Sequence, residues 1–143
     1  MTVECRKVTT IPEFVDAVRL RVDAFIIEQR CQPGWEPDEQ DRIAEHYIAT
    51  IDSQIVGTLR VRAESSKGYK IERMVTAPSV RKSGIGRQLL EFVITDLRRR
   101  AVSRIWMQAQ VQAQRFYEKC GFRPSSNSYD LHGIPHLDME LVI

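Results

Sequence analysis

The sequence is short of cysteine and contains no long apolar run, and each shortage excludes a class of protein. The three cysteines, Cys5, Cys31 and Cys120, are odd in number and widely spaced, which fits neither a disulfide framework nor a zinc site. No apolar stretch approaches the roughly 20 residues of a membrane span, and the N-terminal residues lack the apolar core of a signal peptide. These absences predict a cytoplasmic protein with no metal and no membrane partner.

An excess of charge of one sign is also missing. The 21 lysines and arginines nearly balance the 19 aspartates and glutamates, and the net charge of +2 gives no reason to expect nucleic acid as a partner. A length of 143 residues, with 43% hydrophobic and 28% charged residues, is typical of a globular protein. We therefore expect one domain that spans residues 1–143.

Apolar periodicity and turn residues predict the element order β-α-β-β-β-α-β-α-β. The pattern Thr10-Ile11-Pro12-Glu13 is a capping box that begins the first helix, which the periodicity extends to about Arg30. An acidic loop covers residues 31–42, and a turn is expected at 65–68. The order predicts a mixed sheet with helices on both faces. The predicted strands are 3–8, 45–51, 55–62, 69–76, 103–109 and 136–143, and the later helices are 84–100 and 113–120.

Glycine and positive charge are combined where the second helix begins. Gly84 and Gly86 remove Cβ atoms at this point, so an anion can approach unpaired backbone N–H groups at the positive end of the helix dipole. The segment therefore predicts a pyrophosphate cradle. A dinucleotide loop is disfavoured because Leu89 stands where a third glycine is needed, and the Gly-Lys-Ser/Thr of a Walker loop is missing. Three cations add charge at the cradle: Arg81, Lys82 and Arg87.

Four ordered features make the chain resemble the GNAT superfamily of N-acetyltransferases. The segment 81–86 matches the acyl-CoA loop Arg/Gln-x-x-Gly-x-Gly/Ala, and 71–76 stands where that family places its pantetheine-binding strand. Residues 114–122 match a helix that ends in Phe-Tyr-x-x-x-Gly-Phe, and the element order agrees. A finer resemblance is to the ElaA-like branch. The residues that carry it are Arg21, Phe25, Gln29, Asp38, Asp41, His46 and Gly133-Ile134-Pro135-His136.

The resemblance implies an α/β fold (α+β by some schemes) with a mixed, mostly antiparallel sheet of about six or seven strands. It also implies acetyl-CoA as co-substrate, a primary amine of a small molecule or peptide as acceptor, and possible homodimers. The fifth strand would splay from the fourth to expose backbone groups for pantetheine. The implied cofactor-binding residues are Met74, Val75 and Thr76 on the strand, and Arg81, Lys82, Ser83, Gly84, Ile85, Gly86 and Arg87 in the loop.

Two side chains are predicted to be catalytic. The resemblance makes Tyr117 the general acid that protonates the departing thiolate; the alternative is an aromatic ring that packs beside Phe116 and Phe122. An N–H near Val75 is a plausible donor to the oxyanion. Glu72 is a candidate base beside the thioester, and the alternative is a solvated strand carboxylate.

The acceptor side is the least defined part of the site. The acidic loop is interpreted either as solvated or as a rim that attracts a cationic amine such as a polyamine or lysine. His46 and His136 titrate near neutrality, but each fits a structural role as well as a base. The tentative substrate residues are Arg21, Phe25, Gln29, Trp35, His46, Gln110 and His136.

Two other functions stay open at this point. The pattern of Arg21, Phe25, Trp35, Asp38 and Asp41 also resembles the N-terminal signature of acyl-homoserine-lactone synthases, which are longer proteins. A CoA-binding sensor or interaction module without catalysis is the second alternative. Transfer to a panel of amines would separate both from an acetyltransferase.

Overall fold

The computed structural model of the chain describes residues 2–64 and 68–143. Within these residues it contains eight strands and three α-helices. Of the turn expected at 65–68, residues 65–67 lie outside the described residues. The elements are β1 (Val3–Lys7), α1 (Ile11–Arg21), β2 (Glu45–Ile51), β3 (Gln54–Glu64), β4 (Gly68–Thr76), α2 (Ile85–Arg99), β5 (Arg104–Gln110), α3 (Gln114–Lys119), β6 (Arg123–Pro124), β7 (Tyr129–Leu131) and β8 (Ile134–Val142).

Helix α1 begins at the predicted capping box but ends earlier than predicted. Thr10 Oγ1 accepts a hydrogen bond from the Glu13 N–H at 3.3 Å, and Glu13 Oε1 accepts one from the Thr10 N–H at 3.2 Å. The α-helix ends at Arg21, and the chain continues as a π-helical segment, Val22–Glu28. Apolar periodicity predicts one continuous helix here, because the wider turns of a π-helix still place the apolar residues on the same side as those of the α-helix. Such segments are frequent at functional sites.

The eight strands form one mixed sheet in the order β1-β2-β3-β4-β5-β8-β6, with β7 also paired to β8. Every pairing is antiparallel except that of β4 with β5, so the prediction of a mixed, mostly antiparallel sheet is confirmed. The strand count was underestimated because β6 and β7 have two and three residues, too few to produce an alternating pattern. A turn at His132 and Gly133, with φ values of 55° and 81°, joins β7 to β8.

Strands β4 and β5 pair over three residues and then separate. Tyr69, Lys70 and Ile71 are the register partners of Ile105, Trp106 and Met107, and beyond this point no pairing between them is found in the described residues. Because β4 continues to Thr76 against β3, and β5 continues to Gln110 against β8, the two strands form a wedge. The splay implied by the family resemblance is therefore present.

One face of the sheet is apolar and carries α2. Val61, Ile71, Met107 and Met139 are successive register partners across β3, β4, β5 and β8, and each is at most 3% exposed. This row belongs to the same buried cluster as the inner side of α2. The predicted inner residues of α2 are all buried: Leu89, Leu90, Val93, Ile94 and Leu97.

The opposite face of the sheet is charged and is covered by α1 and the acidic loop. Arg21 of α1 and Arg60 of β3 are each only 1% exposed. The Arg21 guanidinium donates to both oxygens of Asp41, at 3.0 and 2.9 Å, and to Glu36. Arg60 donates to Asp38 at 2.6 Å and to Asp41 at 2.9 Å.

Two β4 residues complete this buried ion-pair network. Arg60 Nε donates to Glu72 at 3.3 Å. Arg73 donates to Glu36 at 2.5 Å and to Asp38 at 3.0 Å. The carboxylates of the loop therefore point towards the sheet, and the predicted acidic rim for a cationic amine is wrong for Glu36, Asp38 and Asp41. We refer to these residues as the ion-pair network: Arg21, Glu36, Asp38, Asp41, Arg60, Glu72 and Arg73.

Removal of one buried cation should show how much of the fold depends on the network. Replacement Arg21→Leu leaves Asp41 with one arginine and deprives Glu36 of a partner, so the free energy of unfolding should fall by about 3–5 kcal/mol. Urea titration measures this change.

The matched control is Arg19→Leu, an exposed arginine on the same helix. Leucine and arginine have similar helix propensity, so this variant should differ from the wild type by less than about 0.5 kcal/mol. Equal unfolding midpoints for the two variants would contradict a structural role for the network.

Candidate active site

The wedge between β4 and β5 opens into a cleft of about 190 Å³. Its walls come from the separated ends of these strands and from the π-helical segment, α3 and the β7–β8 hairpin. Of the predicted catalytic and acceptor residues, Phe25, Gln29, Trp35, Gln110, Tyr117, Glu72 and His136 line it, whereas Arg21 and His46 do not. The full lining is Phe25, Gln29, Trp35, residues 70–75, residues 108–110, Ala113, Tyr117, Leu131 and His136.

A β-bulge in β4 shapes the cleft wall. Val75 is opposite Thr58 of β3 and Glu72 is opposite Arg60, so the chain inserts an additional residue between them. Arg73 takes up this insertion with φ = 57°, a left-handed conformation that is strained for a residue other than glycine. Its guanidinium is held by Glu36 and Asp38 and lies 3.6 Å from the centre of the Trp35 ring. The ion-pair network therefore stabilises the bulge.

The predicted pantetheine residues follow the bulge directly. Val75 packs beside Phe25 and Ala24 on the charged side of the sheet. Met74 and Thr76 face the start of α2, because a Cβ added to Gly86 would lie 3.4 Å from Met74 Cε and 3.6 Å from Thr76 Cγ2. The end of β4 and the glycine loop are therefore neighbours.

The glycine loop leaves the N-terminus of α2 uncovered. Gly84 is the N-cap residue with φ = 88°, and no side chain among the described residues caps the helix. Gly84 O accepts from the Gln88 N–H at 3.0 Å, so the N–H groups of Ile85, Gly86 and Arg87 precede the first helical donor. A Cβ at Gly84 would have no heavy atom within 4 Å, which means that the approach to these groups is open.

The cations beside this loop are held in surface ion pairs. Arg81 donates to both oxygens of Glu28, each at 2.7 Å, and thereby joins the loop to the end of the π-helical segment. Arg87 pairs with Glu91 one turn along α2, at 2.9 Å. Exposed pairs of this kind contribute little to stability, so an arriving anion can exchange for either carboxylate at small cost.

Tyr117 places its hydroxyl inside the cleft rather than at the outer surface. The O–H points to Met74 Sδ at 3.8 Å, and the ring packs edge-on against Phe116 and Phe122 with centroid distances of 5.1 and 6.1 Å. Burial raises the pKa of Tyr117 to about 12. The phenol therefore keeps its proton through the neutral range, as a general acid requires.

Glu72 lies in the cleft but is surrounded by positive charge. Arg62 Nε donates to it at 2.5 Å, Arg60 at 3.3 Å, and Lys70 Nζ lies 3.2 Å away. Burial alone would raise the pKa of Glu72, but these cations outweigh burial and lower it to about 2. This environment weighs against the predicted role as a base, because a carboxylate so stabilised has little affinity for the proton of an amine.

The two predicted histidines differ in their surroundings. His46 packs edge-on against Phe14 at 4.8 Å, and its Nε2 donates to the Asp41 carbonyl at 3.1 Å. Burial lowers the pKa of His46, so it is a neutral structural residue beside the ion-pair network. His136 lines the cleft, where its Nδ1 lies 2.7 Å from the Ile134 carbonyl and its ring stacks on Tyr129.

The acceptor side of the cleft is formed by amides and aromatic rings. Gln110 donates to Gln29 at 3.0 Å across the cleft, and Phe25 packs edge-on against Trp35 at 5.1 Å. Lys70, which the sequence analysis did not select, donates to Gln108 at 2.9 Å. The sequence could have indicated Lys70, because it is two residues from Glu72 on the same strand, and residues two apart on a strand share a face.

Two features are absent from residues 2–64 and 68–143. No group of three histidine, cysteine, aspartate or glutamate residues there is arranged to hold a metal ion. No helix in the same ranges has the length and apolar character needed to cross a membrane.

Comparison with known proteins identifies the class. The family model described as "Acetyltransferase (GNAT) domain" matches residues 17–143. The chain therefore belongs to the GNAT acetyltransferase family and is an acyltransferase enzyme. Escherichia coli (strain K12) protein ElaA is a similar protein, 24% identical over 135 residues that cover 91% of this chain and 88% of that one.

Two similar proteins support this assignment, and a third shares the fold. A Bacillus subtilis (strain 168) protein called "Uncharacterized N-acetyltransferase YjcF" is 33% identical over 125 residues, which cover 87% of this chain and 89% of that protein. The crystal structure of an acyl-CoA N-acyltransferase from Pseudomonas aeruginosa has a TM-score of 0.85 and 27% identity, and covers 98% of this chain and 99% of its own. The crystal structure of Escherichia coli ElaA superposes with a TM-score of 0.87 at 22% identity, over 97% and 99% of the two chains.

The depressed carboxylate pKa values predict that the protein loses stability in acid. The pKa of Asp41 is lowered from 3.8 to about 2 and that of Glu72 from 4.5 to about 2, each because arginine partners outweigh burial. The folded state therefore holds these protons more weakly than the unfolded state, and the stabilisation is complete above about pH 4.5 and lost as the pH falls towards 2. Urea midpoints measured between these limits should decrease steadily.

The variant Glu72→Gln should reduce the slope of this decrease, because one of the linked protons is removed. Glu118→Gln is the control, since Glu118 is exposed on α3. A slope equal to that of the wild type in Glu72→Gln would exclude Glu72 as a source of the acid sensitivity.

Proposed function

We propose that the protein transfers an acetyl group from acetyl-CoA to a primary amine of a small molecule or peptide, by direct attack of the amine in a ternary complex. The observation that carries the proposal is the wedge between β4 and β5, which opens beside the uncapped N-terminus of α2 and contains the Tyr117 hydroxyl. Family membership supports acyl transfer, and these features favour a CoA thioester as the donor.

The pyrophosphate of acetyl-CoA would bind to the N–H groups of residues 84–87. Gly84 has no neighbour within 4 Å of a Cβ position, so phosphate oxygens can approach this backbone closely. Arg81, Lys82 and Arg87 supply positive charge next to it. The pantetheine arm would run along the edge of Met74–Thr76 that β5 leaves unpaired, where amide groups need hydrogen-bond partners.

The bulge would place a backbone N–H near Val75 at the thioester carbonyl. An oxyanion donor fixed in advance stabilises the tetrahedral intermediate without reorganisation. Tyr117 would then donate its phenolic proton to the thiolate sulfur as the C–S bond breaks. Its hydroxyl already rests on Met74 Sδ, beside the strand that carries the thioester.

The acceptor is proposed to be an amine without a high positive charge. Glu36, Asp38 and Asp41 are neutralised by arginines, and the cleft presents Gln29, Gln110, Phe25 and Trp35 instead. These groups favour a partly apolar amine with hydrogen-bonding groups over a polycation. An assay of free thiol release with a panel of amines tests the proposal, and the absence of transfer to every amine with acetyl-CoA bound would contradict it.

Removal of the Tyr117 hydroxyl should slow the chemical step. In Tyr117→Phe we expect kcat to fall by about 10-fold or more across the neutral range, while the Kd for acetyl-CoA remains unchanged, because only the protonation of the leaving group is affected. Steady-state kinetics and calorimetry measure the two quantities.

Tyr69→Phe is the matched control, because Tyr69 is on β4 but outside the cleft. A kcat for Tyr117→Phe equal to that of this control would remove Tyr117 from the mechanism.

A side chain at Gly84 should block the proposed cradle. In Gly84→Val, two methyl groups would occupy the approach to the N–H groups of α2, and calorimetry should detect no binding of acetyl-CoA. Gly133→Val is the control for backbone strain, because Gly133 also has a positive φ, 81°, and no neighbour within 4 Å of its Cβ position.

The control variant Gly133→Val should lose about as much free energy of unfolding as Gly84→Val and should still bind acetyl-CoA. Wild-type affinity in Gly84→Val would show that the pyrophosphate binds elsewhere.

A further inference from the structure

Five ionisable side chains line the β4–β5 cleft. Four of them already have either a proposed catalytic role or a hydrogen bond to another side chain. Lys70, Glu72 and Arg73 are hydrogen-bonded to other side chains, and Tyr117 carries the proton that the leaving thiolate needs. The fifth is His136. Amide formation also requires a group that accepts a proton from the attacking amine, and this residue is the one left to supply it.

The hydrogen bonding of His136 fixes which ring nitrogen can accept a proton. Its Nδ1 lies 2.7 Å from the Ile134 carbonyl oxygen, and because a carbonyl can only accept, Nδ1 must carry the hydrogen. The neutral ring then has its lone pair on Nε2. No partner for Nε2 is found among residues 2–64 and 68–143.

The sheet register places this imidazole on the acceptor side of the cleft. His136 of β8 is directly opposite Gln110 of β5, and paired residues of antiparallel strands point to the same face. Gln110 reaches across the cleft to Gln29. The Tyr129 ring on the neighbouring β7 lies nearly parallel to the imidazole, with 6.4 Å between the ring centroids.

We propose that His136 is the general base of the reaction, an assignment that rests on the function proposed above. The amine nitrogen forms a bond to the thioester carbon, and a proton from that nitrogen passes to Nε2. As the intermediate collapses, the C–S bond breaks, its electron pair moves to sulfur, and the Tyr117 proton passes to the sulfur. The products are the amide and free CoA thiol, and exchange with water returns the His136 proton to solvent and a proton to Tyr117.

The base must be neutral, so the rate should fall as the pH falls through the titration of His136. Several charged or titratable groups share its face or the cleft. From β7 Tyr129 stacks on the ring and donates to Asp138 of β8 at 2.5 Å. From the other side of the cleft the groups are Lys70, Glu72 and Arg73 of β4 and Tyr117 of α3.

The pH dependence of kcat/KM in His136→Asn tests the proposal. Asparagine retains an N–H donor near the position of Nδ1 but has no titratable nitrogen. We expect kcat/KM at neutral pH to fall by about 100-fold and the acid limb of the profile to disappear, with the Kd for acetyl-CoA unchanged. The control is His132→Asn, an exposed histidine in the β7–β8 turn whose φ of 55° asparagine tolerates. Because the His132 ring also packs against Trp35 of the cleft, at 5.8 Å between ring centroids, the quantity compared is the acid limb, which should keep its wild-type midpoint in this variant.

An acid limb that persists in His136→Asn with its wild-type midpoint would overturn the assignment, and so would a loss of less than about 3-fold. A second measurement needs no variant: the sequence has three histidines, so NMR can follow each imidazole separately. The kinetic midpoint should coincide with the titration of His136, and coincidence with another histidine would overturn the proposal. An inactive wild-type protein would instead contradict the proposed acetyltransferase function.

Discussion

The buried ion pairs between three arginines and the acidic loop are the interaction on which the rest of the structure depends. Arg21, Arg60 and Arg73 come from three different elements, and each meets carboxylates of residues 36–41. Burial of charge is unfavourable unless every group is paired, so these side chains are stable only in the folded arrangement that brings them together. That arrangement fixes the loop against the sheet and holds Arg73 in its left-handed conformation. The bulge at Arg73, and with it the shape of the cleft, follows from this pairing.

The two faces of the sheet differ in what they contribute: one holds the hydrophobic core, and the other holds the ion pairs and the cleft. The apolar face, with its row from Val61 to Met139 against α2, needs no partner beyond the hydrophobic core. The opposite face is not packed in this way, because it holds charged side chains such as Arg60 of β3 and Arg21 of α1. Arginine and carboxylate pairs fill it near α1, and farther along, where β4 and β5 separate, the same face becomes the cleft. The cleft is thus a continuation of the charged interior.

Local sequence patterns predicted those parts of the protein that depend on neighbours in the chain. The capping box at Thr10, the apolar stripe of α2 and the glycine loop at its start each follow from a few adjacent residues. The direction of the acidic loop could not be predicted, because a run of carboxylates looks the same whether water or arginines surround it. The partners of Glu72 come from β3 as well as β4, so its environment depends on the sheet register. The left-handed conformation of Arg73 could not be predicted from the sequence either, since arginine rarely adopts a positive φ.

The single inserted residue in β4 also changes which side of the sheet each later residue faces. Before the bulge, Lys70 and Glu72 face the charged side, whereas after it Val75 faces that side and Met74 and Thr76 turn to α2. If residue 73 instead continued the regular alternation of the strand, with no bulge, these positions would be exchanged. Val75 would then crowd the glycine loop, and the Met74 thioether would move under Phe25, away from Tyr117. One inserted backbone position thus allows a single strand to supply side chains both to the charged face and to the face that meets the start of α2.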